Sequence, residues 1–255
     1  MFTKIYANGC SFTKAGGLDQ SGIRKKYKKI LNISLDDDYI QYAYPNIVSK
    51  KLKVPITNEA ESGASVNRLI RTTYEYAYKN QFTLSETLFI LELPPMWRDE
   101  IYSNHLDKPI NVNPGVIKDS DNLNKLGLKN LKLYFLEFIN TDFEYKKSMN
   151  NLIGLIYFLK HNNSNVILLD NCNFELFLNN NNLKHDFNFV SFDDELMHLW
   201  FYKNKLTIND ELGVDVRDGH AGITGNQKIA DIVLDYLNEK KYWEKLFDIL
   251  IVIIK

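Results

Sequence analysis

The sequence predicts a single α/β domain, a three-layer α/β/α sandwich with a mainly parallel central sheet. Two observations carry this expectation. Short apolar runs alternate with stretches whose apolar residues recur at helical spacing, the pattern of a sheet covered by helices on both faces. Two of the runs, Thr87 to Leu93 and Asn165 to Asp170, are close to continuously apolar, as strands buried on both sides should be.

Taken in order, Lys4 to Asn8 reads as a short first strand ending in the turn Asn8-Gly9-Cys10-Ser11. Tyr44 to Leu52 has helical apolar spacing and stops near Pro55, which cannot continue a helix. Pro55 to Asn58 is a second short strand, and a loop containing Ser and Gly leads into a helix over Val66 to Tyr78. After the strand Thr87 to Leu93, a long helix over Tyr145 to His161 precedes the strand Asn165 to Asp170. The last element is an amphipathic helix over Gln227 to Glu239, with Ile229, Ile232, Val233 and Tyr236 on one side. The segments around 104–132 and 179–211 break the alternation and are expected as insertions in one domain spanning residues 1–255. The basic run Arg24-Lys25-Lys26-Tyr27-Lys28-Lys29, offset by Asp36-Asp37-Asp38, reads as a solvated insertion, and Asn179-Asn180-Asn181-Asn182 as a solvent loop.

Composition narrows the function classes. With 31 basic and 32 acidic residues the formal net charge is −1, which gives no electrostatic footprint for nucleic acid or an anionic membrane. The two cysteines, Cys10 and Cys172, form no disulfide framework and no zinc-type spacing. The start of the chain runs straight into a strand and lacks a signal-peptide core. The longest apolar run, Ile249 to Ile254, is too short to span a bilayer. A cytoplasmic protein is the default expectation. The apolar end could dock on its own domain or serve as a homo-oligomer contact.

Chemistry in open α/β sheets collects at the carboxyl ends of strands. Three stretches place polar residues there. In Asn8-Gly9-Cys10-Ser11-Phe12-Thr13, Gly9 permits a tight turn and Ser11 can stand above the sheet as a nucleophile, or simply cap a helix. In Asn58-Glu59-Ala60-Glu61-Ser62-Gly63-Ala64-Ser65-Val66-Asn67-Arg68, Gly63 can offer an unobstructed N–H to an oxyanion, or the segment is a helix start capped by Ser65. In Asp215-Val216-Arg217-Asp218-Gly219-His220, an imidazole beside a carboxylate on a glycine-flexible loop suits general-base work. The remaining histidines, His105, His161, His185 and His198, show no paired metal spacing.

Together these blocks resemble the SGNH/GDSL hydrolases, a family of esterases, lipases, carbohydrate deacetylases and some acyltransferases with a flavodoxin-like fold. Gly9-Cys10-Ser11 matches the first block, usually Gly-Asp-Ser, with Ser as nucleophile. Asn58, Ala60, Ser62 and Gly63 match the second, whose Gly donates to the oxyanion. Asp218 and His220 match the last. The wording is that of a divergent member. Cys10 stands where the family has Asp, and only Gly219 separates Asp218 from His220, where two residues are usual. Asp215 is a second-choice acid.

The family's third block, Gly-x-Asn-Asp, has no counterpart in Glu92-Leu93-Pro94-Pro95-Met96-Trp97-Arg98-Asp99. Loss of one oxyanion donor is worth about 3 kcal/mol of transition-state stabilisation. Arg98 or Asn67 could supply a polar contact instead, and Trp97 could line a pocket. The resemblance implies a serine esterase or deacylase, with an acylated carbohydrate among its candidate substrates and no metal or organic cofactor. An O-acyltransferase, or a binding module on the same fold, is the alternative. In the adjacent pair, Ser11 rather than Cys10 is expected to face the base.

Overall fold

The computed structural model describes residues 2–35, 38–95, 98–104, 106–112, 141–214 and 219–254; at 141 and from 241 onward only the backbone is described. Its centre is a four-stranded, fully parallel sheet made of β1 (Lys4–Asn8), β2 (Ile56–Asn58), β3 (Thr87–Leu93) and β6 (Asn165–Asp170), in the order β2-β1-β3-β6. Residues 188–190 add a further edge. Leu168 N–H donates to Asn188 O at 2.8 Å, and Val190 N–H donates to Leu168 O at 2.9 Å.

Alternation along the strands sorts the core into two layers. Tyr6, Phe89, Leu91, Val166 and Leu168 face α3 (Val66–Lys79), α4 (Thr141–His161) and α5 (Phe174–Asn180). Ile5, Ala7, Leu88, Ile90, Ile167 and Leu169 face α2 (Tyr44–Leu52), α6 (Met197–Lys203) and α8 (Ile223–Ile254). The chain is therefore an α/β/α sandwich with a parallel centre, the expected class.

The elements foreseen in sequence all appear, with the last helix running from Ile223 to Ile254. Three segments take a form that the sequence did not specify. The basic run lies in a helix, α1 (Ser21–Leu31). Its Ile23 and Tyr27, four residues apart, are buried in a third apolar cluster with Leu18, Ile208 and Leu212, while Lys25, Lys28 and Lys29 point to solvent. Asp36 and Asp37 lie outside the described residues.

The second segment, around 104–132, is entered by an antiparallel hairpin, β4 (Asp99–Ser103) and β5 (Lys108–Val112), which is tied to α3 where Arg71 forks onto Glu100 at 2.7 and 2.8 Å; residues 113–132 lie outside the described set. The third, 179–211, is compact. It carries α6, whose Trp200 and Phe201 are buried, and α7 (Ile208–Leu212), opened by a reciprocal Thr207–Asp210 capping box. Asn179 and Asn180 end α5 rather than starting a loop.

In the order β2-β1-β3-β6 the connections leave β1 in one direction and β3 in the other. The crevice above these two strands is the switch point where such folds gather functional groups.

Candidate active site

Ser11 sits on the turn that leaves β1, and no helix begins there: residues 11–19 form consecutive turns, and α1 starts only at Ser21. The capping alternative for Ser11 does not apply. The Ser11 side chain is buried, and its Oγ lies 2.7 Å from Nε2 of His220. The imidazole is half-buried against the Phe12 ring, with centroids 5.3 Å apart.

The loop carrying His220 is held on both sides. Ala221 forms an antiparallel bridge with Thr207, Ile208 N–H donates to His220 O at 2.9 Å, and Gly222 N–H donates to Leu206 O at 3.0 Å. Asn226, fully buried, donates from Nδ2 to Ala221 O and Gly222 O at 3.2 and 3.0 Å. Its Oδ1 accepts the Tyr44 N–H at 3.2 Å, which fastens the loop to α2. Asp218 and Asp215 lie outside the described residues.

The second block lies beside the Ser11 turn. β2 ends at Asn58, and the chain stays against β1: Glu59 N–H donates to Ala7 O at 2.9 Å and Glu61 N–H to Gly9 O at 3.2 Å. Two residues later Gly63 adopts φ 80°, the left-handed region in which a side chain is strained. Ser65 then caps α3, accepting the Arg68 N–H at 3.1 Å, so the helix-start reading holds alongside whatever Gly63 does. Arg68 braces the loop from within, reaching Glu59 O at 2.9 Å and Glu61 at 2.8 Å. Asn58 pins the Ser11 turn itself, donating to Thr13 O at 3.3 Å.

Two residues expected to face substrate have protein partners. Asn67 donates to Asp99 Oδ1 at 2.8 Å and accepts from Ser148 Oγ at 3.3 Å, so both ends of its amide join α3 to β4 and α4. Arg98 reaches Ala64 O at 3.4 Å, next to Gly63. Trp97 lies outside the described residues.

The buried Glu92 was not singled out in the sequence. It is fully enclosed near the end of β3, on the face toward α2. Its Oε2 accepts the Cys10 N–H at 2.7 Å and the Thr13 hydroxyl at 3.2 Å, and its Oε1 accepts from Asn171 Nδ2 at 2.7 Å and the Cys10 thiol at 3.5 Å. Gly9 makes room for it, because a Cβ there would stand 2.6 Å from Oε2 and 2.9 Å from the Glu92 Cβ. The Tyr44 hydroxyl lies 3.2 Å from Thr13 Oγ1, and Asn171 Oδ1 accepts the His198 N–H at 2.8 Å with the His198 ring Nδ1 at 3.1 Å. The signal in sequence was one carboxylate inside the run Leu88 to Leu93, where a charge must find partners or be excluded.

Burial, and then the nearby Glu92 charge, push the Cys10 thiol up to about 12. A thiol so protonated is a poor nucleophile. Burial likewise raises Cys172 and Tyr44 well above their ordinary values. Among the described residues no helix is long and apolar enough to cross a membrane.

In chemical terms the site offers a hydroxyl in contact with an imidazole that can take its proton, above a braced turn. No family model and no curated protein matches the sequence. Solved structures similar to the chain include a member of the lipolytic protein G-D-S-L family from Veillonella parvula, 13% identical, covering 91% of this chain and 96% of that one with a TM-score of 0.44. Another is a carbohydrate esterase whose active site displays divergent catalytic and non-catalytic binding functions, 14% identical over 94% of this chain and 70% of that one, TM-score 0.43. An alpha/beta hydrolase enzyme from the metagenome of Lake Arreo, Spain, is 15% identical over 92% of this chain and 94% of that one, TM-score 0.41.

Proposed function

We propose that the chain is a serine hydrolase acting on ester bonds. The observation that carries this reading is the 2.7 Å contact between Ser11 Oγ and His220 Nε2 at the switch point of a parallel sheet. A hydroxyl is weakly nucleophilic alone and is activated by a base within hydrogen-bond reach. The sequence blocks around Ser11, Gly63 and His220 support the same reading.

In this mechanism Ser11 Oγ attacks the ester carbonyl as its proton passes to His220 Nε2. The tetrahedral oxyanion is held by the N–H groups of Ser11 and Gly63, with the Arg98 guanidinium as a further polar contact. The imidazolium then protonates the leaving alcohol, and Asp218 orients the ring. Water, deprotonated by His220, releases the acyl group and restores the serine. An acylated carbohydrate is the substrate class we favour, and a sugar hydroxyl in place of water would make the same steps an acyl transfer.

Reaction with a fluorophosphonate followed by peptide mass spectrometry tests the proposal. One adduct on the peptide containing Ser11, absent in Ser11→Ala, is the expected result. An unlabelled wild-type protein, or an adduct elsewhere that survives Ser11→Ala, would overturn it.

A further inference from the structure

Glu92 brackets the nucleophile. Its Oε2 is bonded to the residue before Ser11, through the Cys10 amide, and to the residue two after it, through the Thr13 hydroxyl. Its Oε1 is held in turn by Asn171, which follows β6 and is itself fixed by the N–H of His198 at the start of α6. The Tyr44 hydroxyl extends the cluster to α2, whose first residue is bonded through its N–H to Asn226 of the His220 loop. Both halves of the Ser11–His220 pair therefore hang on one buried carboxylate cluster. The arrangement is directional, since each of these partners among the described residues has a hydrogen to give.

We propose that Glu92 is a positioning residue of the candidate active site, setting the Cys10 peptide so that the next residue presents Oγ to His220. This rests on the serine hydrolase reading. The carboxylate touches neither substrate nor reacting atoms. It acts by leaving the turn a single orientation, which matters because small misplacements of a reacting group are costly in rate. The tie to Glu92 takes the Cys10 N–H, leaving oxyanion binding to the amides further along.

The test uses the full chain and compares wild type, Glu92→Gln and the double variant Glu92→Gln with Asn171→Asp. A glutamine has one acceptor where Glu92 has two, so either orientation sets its NH2 against the Cys10 amide or against Asn171 Nδ2. The double variant repairs this: the carboxylate introduced by Asn171→Asp accepts from the glutamine NH2 and still accepts from the His198 N–H, and the cluster keeps one negative charge.

The readout is the second-order rate of fluorophosphonate labelling at Ser11, across pH, well below each variant's Tm. We expect Glu92→Gln to label at least tenfold more slowly over the whole pH range and the double variant to recover most of the rate. A fold requirement alone would lower Tm without this pattern in the rate. Equal rates in wild type and folded Glu92→Gln overturn the proposal, as does a folded double variant that stays slow. If Glu92→Gln does not fold, the double variant decides, and its failing to fold as well makes Glu92 a stability residue and overturns the proposal. A wild type that does not label removes the hydrolase reading and this one together, whereas a labelling wild type with an equally fast Glu92→Gln removes this one alone.

Discussion

His220 Nε2 lies 2.7 Å from Ser11 Oγ although 209 residues separate them in sequence. Removing the imidazole while leaving the hydroxyl isolates what that contact does. His220→Ala should lower the rate of ester turnover and of Ser11 labelling by about 10² to 10⁴-fold, the usual contribution of a positioned base. Steady-state assay with short p-nitrophenyl esters checks it, and added imidazole should restore part of the loss.

Cys10 and Ser11 are neighbours that face different groups: Ser11 meets His220, and the Cys10 thiol meets Glu92. Because burial pushes the Cys10 thiol up to about 12, native protein at pH 8 should resist iodoacetamide at this position, and alkylation should appear only in denaturant. Mass spectrometry of the tryptic peptide reads this. Cys10→Ala is expected to keep Ser11 labelling within a fewfold of wild type; a complete loss would return the thiol to consideration as the nucleophile.

Asn226 is the latch of the His220 loop. Its amide serves the Tyr44 N–H and the carbonyls of Ala221 and Gly222 while fully buried. Asn226→Ala strands the Tyr44 N–H and the Ala221 carbonyl, while the Gly222 carbonyl keeps the backbone N–H of residue 226. With about 1–3 kcal/mol for each group left unsatisfied, and water able to rescue some of them, the expected loss of stability is about 2–4 kcal/mol. Urea unfolding measures that loss. Labelling of Ser11 should slow by more than the unfolded fraction explains, because the loop loses its tie to α2.

His198 predicts a pH effect on stability. Burial holds its imidazole below the ordinary value of 6.5, and the charge of Glu92 opposes this only in part. Below pH 6.5 the unfolded chain then binds more protons than the folded one, so stability is fully present above that pH and declines as pH falls toward the lowered value. Asn171 Oδ1 is an acceptor, because Asn171 Nδ2 donates to Glu92, so the neutral ring gives it the Nδ1 proton. His198→Asn keeps a donor there without titrating. Its Tm should fall less steeply than that of wild type between about pH 6.5 and 5. Parallel curves would contradict the assignment.

Much of the fold was legible because burial leaves periodic traces. β3 and β6 stand out as apolar runs, and α3 and α8 as amphipathic stretches. The Ser11 turn, the Gly63 loop and the His220 loop were legible because each couples a glycine to a polar residue next to a strand or helix end. Glu92 was not, because its meaning depends on Asn171, which is far away in sequence, and on the missing Cβ of Gly9. The short helices α6 and α7 escaped because five to seven residues are too few for a period to emerge. Asn67 was expected to supply a polar contact in place of the missing third-block donor. The bonds to Asp99 and Ser148 come from elements that helical spacing does not reveal.

The latch at Asn226 has a temporal consequence. A nascent chain exposes the serine turn early but lacks the imidazole and its fastening to α2 until the final helix has emerged. At roughly 5–20 residues per second, the gap of 209 residues corresponds to about ten to forty seconds of elongation. During that interval the Ser11 hydroxyl exists without its imidazole partner, so the sheet can be built before the proposed nucleophile and base meet.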